Sequence, residues 1–399
     1  MVIVVAVALG LVLFAVYLGY LLLMIGQSKR SDLLRQRVMS GYSPFVSVVV
    51  PTYNEEATIP HKMKNLAGQD YRNMELIVVD SASTDRTVEL VERVGKECGL
   101  NPKIIEEEKR EGLVKAEQTA FQHCQGEIVV LSDADALWDK GALTQALSNF
   151  KDPTIGAVCG RQILLNRDQN SATAIEGAYR DIYEIMRTGE SALDSTPIFH
   201  GEIGCYRKEL IDRLREDTIA DDSTLAVHVR KKGFRSIYDP RACFYEYASP
   251  GGRWRYVQKI RRAQGLAQMF IRERDILFKR KYGSFGMIIF PAEFFMHIVS
   301  PFLVFAFLLM VSWTLIAVSP YLFATVGLVV VALLFVPAIS RRSLLNFVPS
   351  FLEAQSTLLV SIVFELLGKS QHKWKMVDGV RDLWRTHEQA NLASTSKGE

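Results

Sequence analysis

Two aspartates separated by one residue, Asp133 and Asp135, follow a short run of β-branched and aliphatic residues. Paired carboxylates at the end of a strand can hold a hard divalent cation through oxygen ligands, while phosphate oxygens and water complete the coordination shell. The cation then neutralises the charge that grows on a leaving diphosphate. The triplet Asp133-Ala134-Asp135 therefore predicts a site for Mg²⁺ or Mn²⁺ together with a diphosphate.

Polar residues also follow two other runs that predict strands. They are Pro51, Thr52, Tyr53, Asn54 and Glu55 after the first run and Asp80 after the second. Each turn alone also fits the N-terminal cap of the next helix. Parallel sheets bind ligands beyond the carboxyl ends of their strands, so polar residues after three strands favour a shared binding edge.

The elements that must position these residues alternate between strands and helices. We predict strands at Phe45–Val50, Glu75–Val79 and Glu127–Leu131, and crossover helices at Glu55–Leu66, Asp85–Cys98 and Val114–Cys124. Such alternation is typical of an α/β fold with a parallel sheet.

Five motifs occur in a fixed order along this region: PTYNEE, VVDSASTD, SDADA, ADDSTLAVHVRKKGFR and QKIRRAQG. This order resembles the family 2 glycosyltransferases of the GT-A fold. The resemblance implies an α/β GT-A domain, a Rossmann-like fold of nucleotide-diphospho-sugar transferases, flanked by transmembrane helices. It also implies that residues 52–55 and Asp80 contact the nucleoside of the donor, with UDP favoured. Asp133 would then contact the ribose or the metal, and Asp135 the metal together with the diphosphate.

The pair Asp221-Asp222 takes the place of an acidic pair in that family, and its second member matches the catalytic base. The resemblance implies that Asp222 accepts a proton from an acceptor hydroxyl in a single in-line displacement, which inverts the anomeric carbon. A carboxylate with a pKa of about 4 is ionised at pH 7, so we expect its position to matter more than a large pKa shift. The alternative is an N-terminal helix cap, which we favour for Asp221.

Gln258 and Arg261 match the Gln-x-x-Arg-Trp motif of processive family members, but Arg262 replaces the tryptophan. This difference argues against acceptor stacking on an indole ring, and so against a polymerase of the cellulose or hyaluronan type. The two guanidinium groups can still pair with a diphosphate. The alternative is a basic juxtamembrane helix on anionic lipid.

Three more residues complete the candidate site. Gly201 and Glu202 resemble the acceptor-side loop of the family, where glycine lets a sugar approach the backbone, although a plain turn fits equally well. Lys115 resembles the lysine of a Gly-Lys segment near the nucleotide, but it lies two positions late.

Apolar residues concentrate at both ends of the chain. A bilayer span needs about 20 apolar residues, and basic residues favour the cytoplasmic side. We therefore expect three spans and a cytoplasmic catalytic domain in a multi-pass protein of the cell membrane. The predicted segments are an anchor at 1–26, a basic linker at 27–44, the GT-A domain at 45–270, a basic juxtamembrane segment at 271–284, two spans at 285–340, an amphipathic interfacial helix or further span at 344–368 and a basic cytosolic tail at 369–399.

Two polar patterns interrupt the apolar regions. Polar residues from Glu353 to Glu365 recur at steps of four and predict one polar stripe, which favours an interfacial or bundle-packed helix over a lipid-facing span. Glu293 and His297 also lie four apart, and we interpret them as interfacial residues that reach lipid headgroups.

The composition argues against several other functions. A net charge of +3 without interleaved basic and aromatic runs argues against nucleic-acid binding. The five cysteines show no CxxC spacing, which disfavours metal or redox chemistry. A nucleotidyltransferase needs a glycine-rich phosphate loop near the first strand, and PTYNEE has none.

The sequence thus predicts an inverting, metal-dependent glycosyltransferase that uses a nucleotide-diphosphate sugar at the cytoplasmic membrane face, among membrane lipids. The predicted acceptor is a lipid-linked saccharide, a polyprenyl phosphate or a polysaccharide. One alternative is a processive polysaccharide synthase, which needs more spans, a homo-oligomer or a membrane partner protein to form a channel. The other is a non-catalytic membrane scaffold that binds a nucleotide sugar.

Overall fold

A computed structural model of the protein describes residues 1–34, 42–167, 169, 171–248, 253–335, 347–369 and 383–384. Five predicted regions lie partly outside these residues. They are the basic linker at 27–44, the GT-A domain at 45–270 at a few positions, the end of the two-span region at 285–340, the start of the helix at 344–368 and most of the basic tail at 369–399.

The strands of the described residues form one mixed sheet. They are β1 Val46–Thr52, β2 Met74–Asp80, β3 Lys103–Glu106, β4 Ile128–Leu131, β5 Leu137–Trp138, β6 Ile155–Leu164, β7 Gly204–Arg207 and β8 Arg235–Glu246. Their order is β3-β2-β1-β4-β7-β6-β8-β5. The first four strands run parallel, and β7 runs antiparallel to both of its neighbours. The predicted α/β fold, in which parallel strands form one half of the sheet, is confirmed.

Helices cover both faces of this sheet and extend beyond it. They are α1 Val2–Leu34, α2 Ile59–Ala67, α3 Thr87–Glu97, α4 Leu113–Phe121, α5 Ala142–Ser148, α6 Ser171–Leu193, α7 Asp221–Lys231, α8 Arg253–Arg272, α9 Phe290–Phe294, α10 Ser300–Val318, α11 Pro320–Phe335 and α12 Phe347–Leu366. The helix α2 begins four residues later than predicted, because Glu55 to Thr58 form a turn in which the Thr58 amide donates to the Glu55 carbonyl at 3.0 Å. This turn leaves the polar residues after β1 outside the helix.

The side chains of β1 alternate between two apolar cores. Val48 is fully buried in the core that contains Val78, and Val49 is fully buried in the core that contains Ile77. Adjacent strand residues point to opposite faces, so a strand covered on both faces is apolar throughout. The polar residues begin where β1 ends, and the sheet therefore presents them at its carboxyl edge.

The C-terminal half of α1 packs against α6. Tyr20 and Met24 are buried in a cluster with Met186 of α6. A Cβ on Gly189 would lie 2.3 Å from the Met24 carbonyl oxygen, so the two backbones approach at a distance that a larger residue would prevent. The helix also continues to Leu34, through the first residues of the predicted linker, which contain no helix-breaking residue.

Two helices in the described residues are long and apolar enough to cross a membrane by length and composition, Val2–Arg30 and Phe285–Val318. The second comprises π-helical turns on either side of α9 and the whole of α10. The next helix, α11, has 16 described residues and follows α10 directly at Pro320.

The polar stripe of α12 faces α8. Contacts between the two helices are Arg255 with Glu353 at 3.2 Å, Lys259 with Glu353 at 3.1 Å, the Ser361 hydroxyl with the Ile260 carbonyl at 2.9 Å and the Gln264 amide with Glu365 at 3.2 Å. The apolar residues Val363 and Leu366 point away from α8 and are exposed. The helix α12 therefore packs its polar stripe inward together with the buried Leu358 and Ile362, and it exposes apolar residues on the opposite side.

Glu293 and His297 are buried, at 2% and 4% exposure, so the interpretation that they reach lipid headgroups is wrong. They face α6, where Glu190 accepts hydrogen bonds from the Tyr20 hydroxyl at 2.5 Å and the Thr196 hydroxyl at 2.6 Å. Burial raises the pKa of Glu190, and the nearby Glu293 carboxyl raises it further. The pattern at steps of four thus reflects an internal polar contact.

Candidate active site

A cavity of about 500 Å³ opens at the carboxyl edge of β1 and β4. It is bounded by the turn after β1, the turn after β4, the start of α7 and one face of α8. Predicted site residues that line it are Pro51, Thr52, Tyr53, Glu55, Asp133, Ala134, Asp135, Gly201, Glu202, Asp221, Asp222, Gln258, Arg261 and Arg262. The structure therefore brings the donor-side and acceptor-side candidates into one cavity.

Asp80 and Asn54 stand behind the cavity instead of lining it. The Asp80 carboxylate, 2% exposed, accepts hydrogen bonds from the Thr52 hydroxyl at 3.0 Å and the Ser83 amide at 2.8 Å. Asn54 has φ +52° and accepts a hydrogen bond from the Thr84 amide at 2.7 Å. Both side chains join the turn after β1 to the turn after β2, and so fix the shape of the cavity wall.

Lys115 also lies outside the cavity lining. It is a partly buried residue of α4, whose neighbours Ala116 and Glu117 line the cavity in its place. The helix α4 thus contributes to the site, but through Glu117, which is 3% exposed.

Lys62, a fully buried residue of α2, lies on the side of the Asp133-Ala134-Asp135 turn that faces away from the cavity. The Lys62 ammonium donates hydrogen bonds to the Ser132 hydroxyl at 2.5 Å and the Ala136 carbonyl at 2.7 Å. Burial lowers the pKa of Lys62 to about 7, although the nearby carboxylates Asp133 and Asp135 oppose this shift. The turn therefore has a buried amine on one side and the cavity on the other.

The two aspartates suit a hard cation. Burial and the nearby Glu202 carboxylate raise the pKa of both Asp133 and Asp135, and a divalent cation relieves such repulsion because it favours the ionised form. In the described part of the chain no three His, Cys, Asp or Glu side chains form a metal-binding group. Two carboxylates fit Mg²⁺, which is usually held by one or two carboxylates with substrate phosphates and water, and carboxylate oxygens also suit Mn²⁺.

Carboxyl groups also cluster at the start of α7. Asp222 accepts a hydrogen bond from the Ser223 amide at 2.6 Å. Burial raises its pKa to about 8, and the neighbouring Asp221 charge contributes. This differs from the expected value of about 4, because the sequence gives no measure of how many carboxyl groups surround the residue. Ala220 occupies the N-cap position of α7, so the prediction that Asp221 caps this helix is wrong. Both aspartates lie in the first turn of α7, where the helix dipole favours negative charge.

A buried glutamate completes this cluster. The Glu117 carboxyl forms a hydrogen bond with Asp221, and burial raises the pKa of Glu117 well above its usual range, with Asp221 adding to the shift. Burial thus favours the uncharged form of Glu117 beside Asp221.

Sequence reasoning missed several charged residues of the site. They include Lys62 beside the Asp133-Ala134-Asp135 turn and, in the cavity lining, Glu117, Arg161, Arg180, Arg187 and Glu246. Lys62 lies on the same buried face of α2 as Ile59, Met63 and Leu66, and a charge on an otherwise apolar helix face is a signal that the sequence does contain. The three arginines give no such signal.

Residues 47–215 match the model of glycosyl transferase family 2. The mannosyltransferase PcManGT from Pyrobaculum calidifontis, solved in complex with GDP-Man and Mn²⁺, is 31% identical, with a TM-score of 0.74, and the alignment covers 93% of this chain and 100% of that one. The mixed sheet and the acidic cavity at its carboxyl edge define a GT-A domain. The chain belongs to glycosyl transferase family 2.

More distant relatives match only part of the chain. An N-acetylglucosaminyltransferase of Azorhizobium caulinodans is 27% identical over 216 residues, which is 50% of this chain and 54% of that protein. A beta-monoglucosyldiacylglycerol synthase of Nostoc is 27% identical over 258 residues, which is 62% of this chain and 54% of that protein. The chain thus spans about half the length of these curated relatives.

Proposed function

We propose that the protein transfers a sugar from a nucleotide-diphosphate sugar to an acceptor with inversion of the anomeric carbon. The observation that carries this proposal is that the Asp133-Ala134-Asp135 turn and Asp222 line one cavity together with Arg261 and Arg262. Family membership supports a glycosyltransferase, and the GDP-Man complex of the similar mannosyltransferase supports this class of donor.

Each part of the cavity has a role in this reaction. Thr52 and Tyr53, which line the cavity, would contact the nucleoside. Asp133 and Asp135 would hold Mg²⁺ or Mn²⁺, which neutralises charge on the leaving diphosphate. The guanidinium groups of Arg261, and of Arg262 beside it, pair with phosphate oxygens.

Asp222 serves as the general base. It takes the proton of an acceptor hydroxyl while that oxygen bonds to the anomeric carbon from the face opposite the diphosphate. The bond from the anomeric carbon to the diphosphate oxygen breaks, and its electron pair leaves with the nucleoside diphosphate. A lipid-linked saccharide provides such a hydroxyl. The phosphate of a polyprenyl phosphate is already anionic and needs no base, so a role for Asp222 favours the saccharide.

The same geometry supports a site at the membrane face. One wall of the cavity is formed by α12, through Ala354, Thr357 and Leu358, and the apolar side of this helix points outward. The packing of α12 on α8 is compatible with a chain that leaves this side of the membrane through α10 and returns through α11. We propose three crossings, α1, α10 and α11, and a cytoplasmic catalytic domain, because basic residues flank the apolar segments on this side.

The decisive experiment incubates the purified full-length protein with Mn²⁺, a panel of UDP and GDP sugars and a membrane lipid extract, and identifies products by mass spectrometry. The sequence resemblance favours a UDP sugar and the similar mannosyltransferase favours a GDP sugar, so the panel decides between them. A single sugar added to an extractable lipid is the expected product. A long polymer would instead establish a processive synthase, and binding of a nucleotide sugar without any transfer would establish a scaffold.

A further inference from the structure

Several hydrogen bonds join α2 to the segment that carries the Asp133-Ala134-Asp135 turn, which we call the metal turn. On one face of this helix, Lys62 bonds to Ser132 and Ala136, on either side of the Asp-Ala-Asp triplet. One turn later, the Asn65 amide donates to the Trp138 carbonyl at 2.8 Å and its oxygen accepts from the Trp138 amide at 2.8 Å. Residues three apart lie on the same helix face, so one rigid element holds both ends of the turn.

The attachment continues to the acceptor side of the cavity. The Ser132 hydroxyl donates to the Glu202 carbonyl at 3.2 Å, and the Trp138 indole donates to the same carbonyl at 2.7 Å. The Lys62 ammonium also lies 4.5 Å from the centre of the Trp138 ring. The segment that carries the metal turn therefore connects α2 to the turn that carries Gly201 and Glu202.

We propose that Lys62 and Asn65 are positioning residues that hold the Asp133-Ala134-Asp135 turn in the geometry that binds the divalent cation, and that fix its distance to the Glu202 turn. This inference rests on the proposed function. Neither side chain lines the cavity, so neither touches the donor or the metal.

Burial supports a specific role for Lys62. Lysine is almost never fully buried unless its charge is paired, and an unpaired buried amine is costly. A methionine at this position would fill the same space among Ile59, Met63 and Leu66 without that cost. The buried amine is explained by what it holds, which is the backbone and hydroxyl oxygens around the metal turn.

The test measures Mn²⁺ binding to the full-length protein in the presence of UDP or GDP, followed by the electron paramagnetic resonance signal of free Mn²⁺. Asn65→Leu removes two hydrogen bonds without changing charge, and we expect it to weaken Mn²⁺ binding by about tenfold. Lys62→Met removes the two hydrogen bonds of the Lys62 ammonium and is measured at pH 7 and at pH 8.5, because an effect of lost charge would be larger at the lower pH, whereas an effect of lost hydrogen bonds persists at both. Lys64→Met changes an exposed lysine of the same helix and should bind Mn²⁺ like the unmodified protein.

A second readout separates positioning from general damage to the fold. Saturating Mn²⁺ should restore most of the turnover of Asn65→Leu, because a loosened turn is recaptured by the metal, whereas an unfolded site is not. Unchanged Mn²⁺ affinity in both variants would overturn the inference, as would turnover that stays low at every Mn²⁺ concentration. If the unmodified protein itself binds no Mn²⁺ with either nucleotide, the proposed function fails instead.

Discussion

Replacement of Asp222 by asparagine should abolish transfer and leave donor binding nearly unchanged. Asparagine has the same shape, and its oxygen can keep the hydrogen bond from the Ser223 amide, which is 2.6 Å from Asp222. It cannot accept a proton from the attacking hydroxyl. General bases contribute about 10² to 10⁴ in rate, so we expect a loss of about 10³ in kcat, which corresponds to about 4 kcal/mol of activation free energy.

The structure also predicts that this variant folds. Burial and the Asp221 charge raise the pKa of Asp222 to about 8, above the unfolded value of about 4. The folded state therefore binds more protons than the unfolded state, and the contribution of Asp222 to stability is lost as the pH rises from about 4 to about 8. At pH 8 the neutral asparagine should make the protein at least as stable as the aspartate does, and thermal unfolding of the two proteins checks this.

The assay measures release of nucleoside diphosphate with the donor and acceptor identified from the panel, over pH 6 to 9. The unmodified protein should become faster with rising pH as Asp222 ionises, and a bound cation shifts the midpoint below that of the metal-free protein because it favours the ionised form. The variant should lack this rise. Asp139→Asn, at an exposed carboxylate outside the cavity, is the matched control. Undiminished turnover of Asp222→Asn would refute the assignment and point to an acceptor, such as a phosphate, that needs no base.

Three further predictions concern the metal and the membrane. Asp135→Ala should lose Mn²⁺-dependent donor binding in calorimetry while its secondary structure is retained, and metal-independent binding would contradict the site. Apparent Mn²⁺ affinity should rise with pH, by up to tenfold per unit for each proton released, because burial raises the pKa of Asp133 and Asp135 and both must ionise to bind metal. A cysteine introduced at Lys369, just after α12, should react with a membrane-impermeant label only from the cytoplasmic side in sealed vesicles, and exclusive labelling from outside would exclude the three-span arrangement.

The parts of the fold that follow local patterns could be predicted from the sequence. β1, β2 and β4 are apolar runs that end at polar turns, and parallel strands carry such turns to one edge, so the acidic cavity follows from local signals. A strand was predicted at 205–208, where β7 lies, but β6 and β8 were not predicted, because their pairing joins distant segments. The reversed direction of β7 between β4 and β6 was not predicted either. No local pattern specifies that reversal.

The electrostatics of the site depend on the same long-range contacts. Asp222 has a raised pKa because burial and Asp221 act together, with Glu202 of a different turn adding its charge. Asp80 ends β2 as predicted, but its buried carboxylate accepts hydrogen bonds from Thr52 and Ser83 and does not line the cavity. A motif gives the identity of such residues, whereas the direction in which each side chain points is set by packing.

The contact between α1 and α6 has a practical consequence for producing the enzyme. Removing the first helix is a common way to obtain a water-soluble form of an anchored protein. Here that truncation would remove Tyr20 from Glu190 and Met24 from Gly189. The buried Glu190 carboxyl would then keep the Thr196 hydroxyl but lose the Tyr20 hydroxyl, and α6, which lines the cavity, would be left with an open groove. Full-length protein extracted in detergent is therefore the appropriate material, and a truncated enzyme that proves inactive would say nothing about its chemistry.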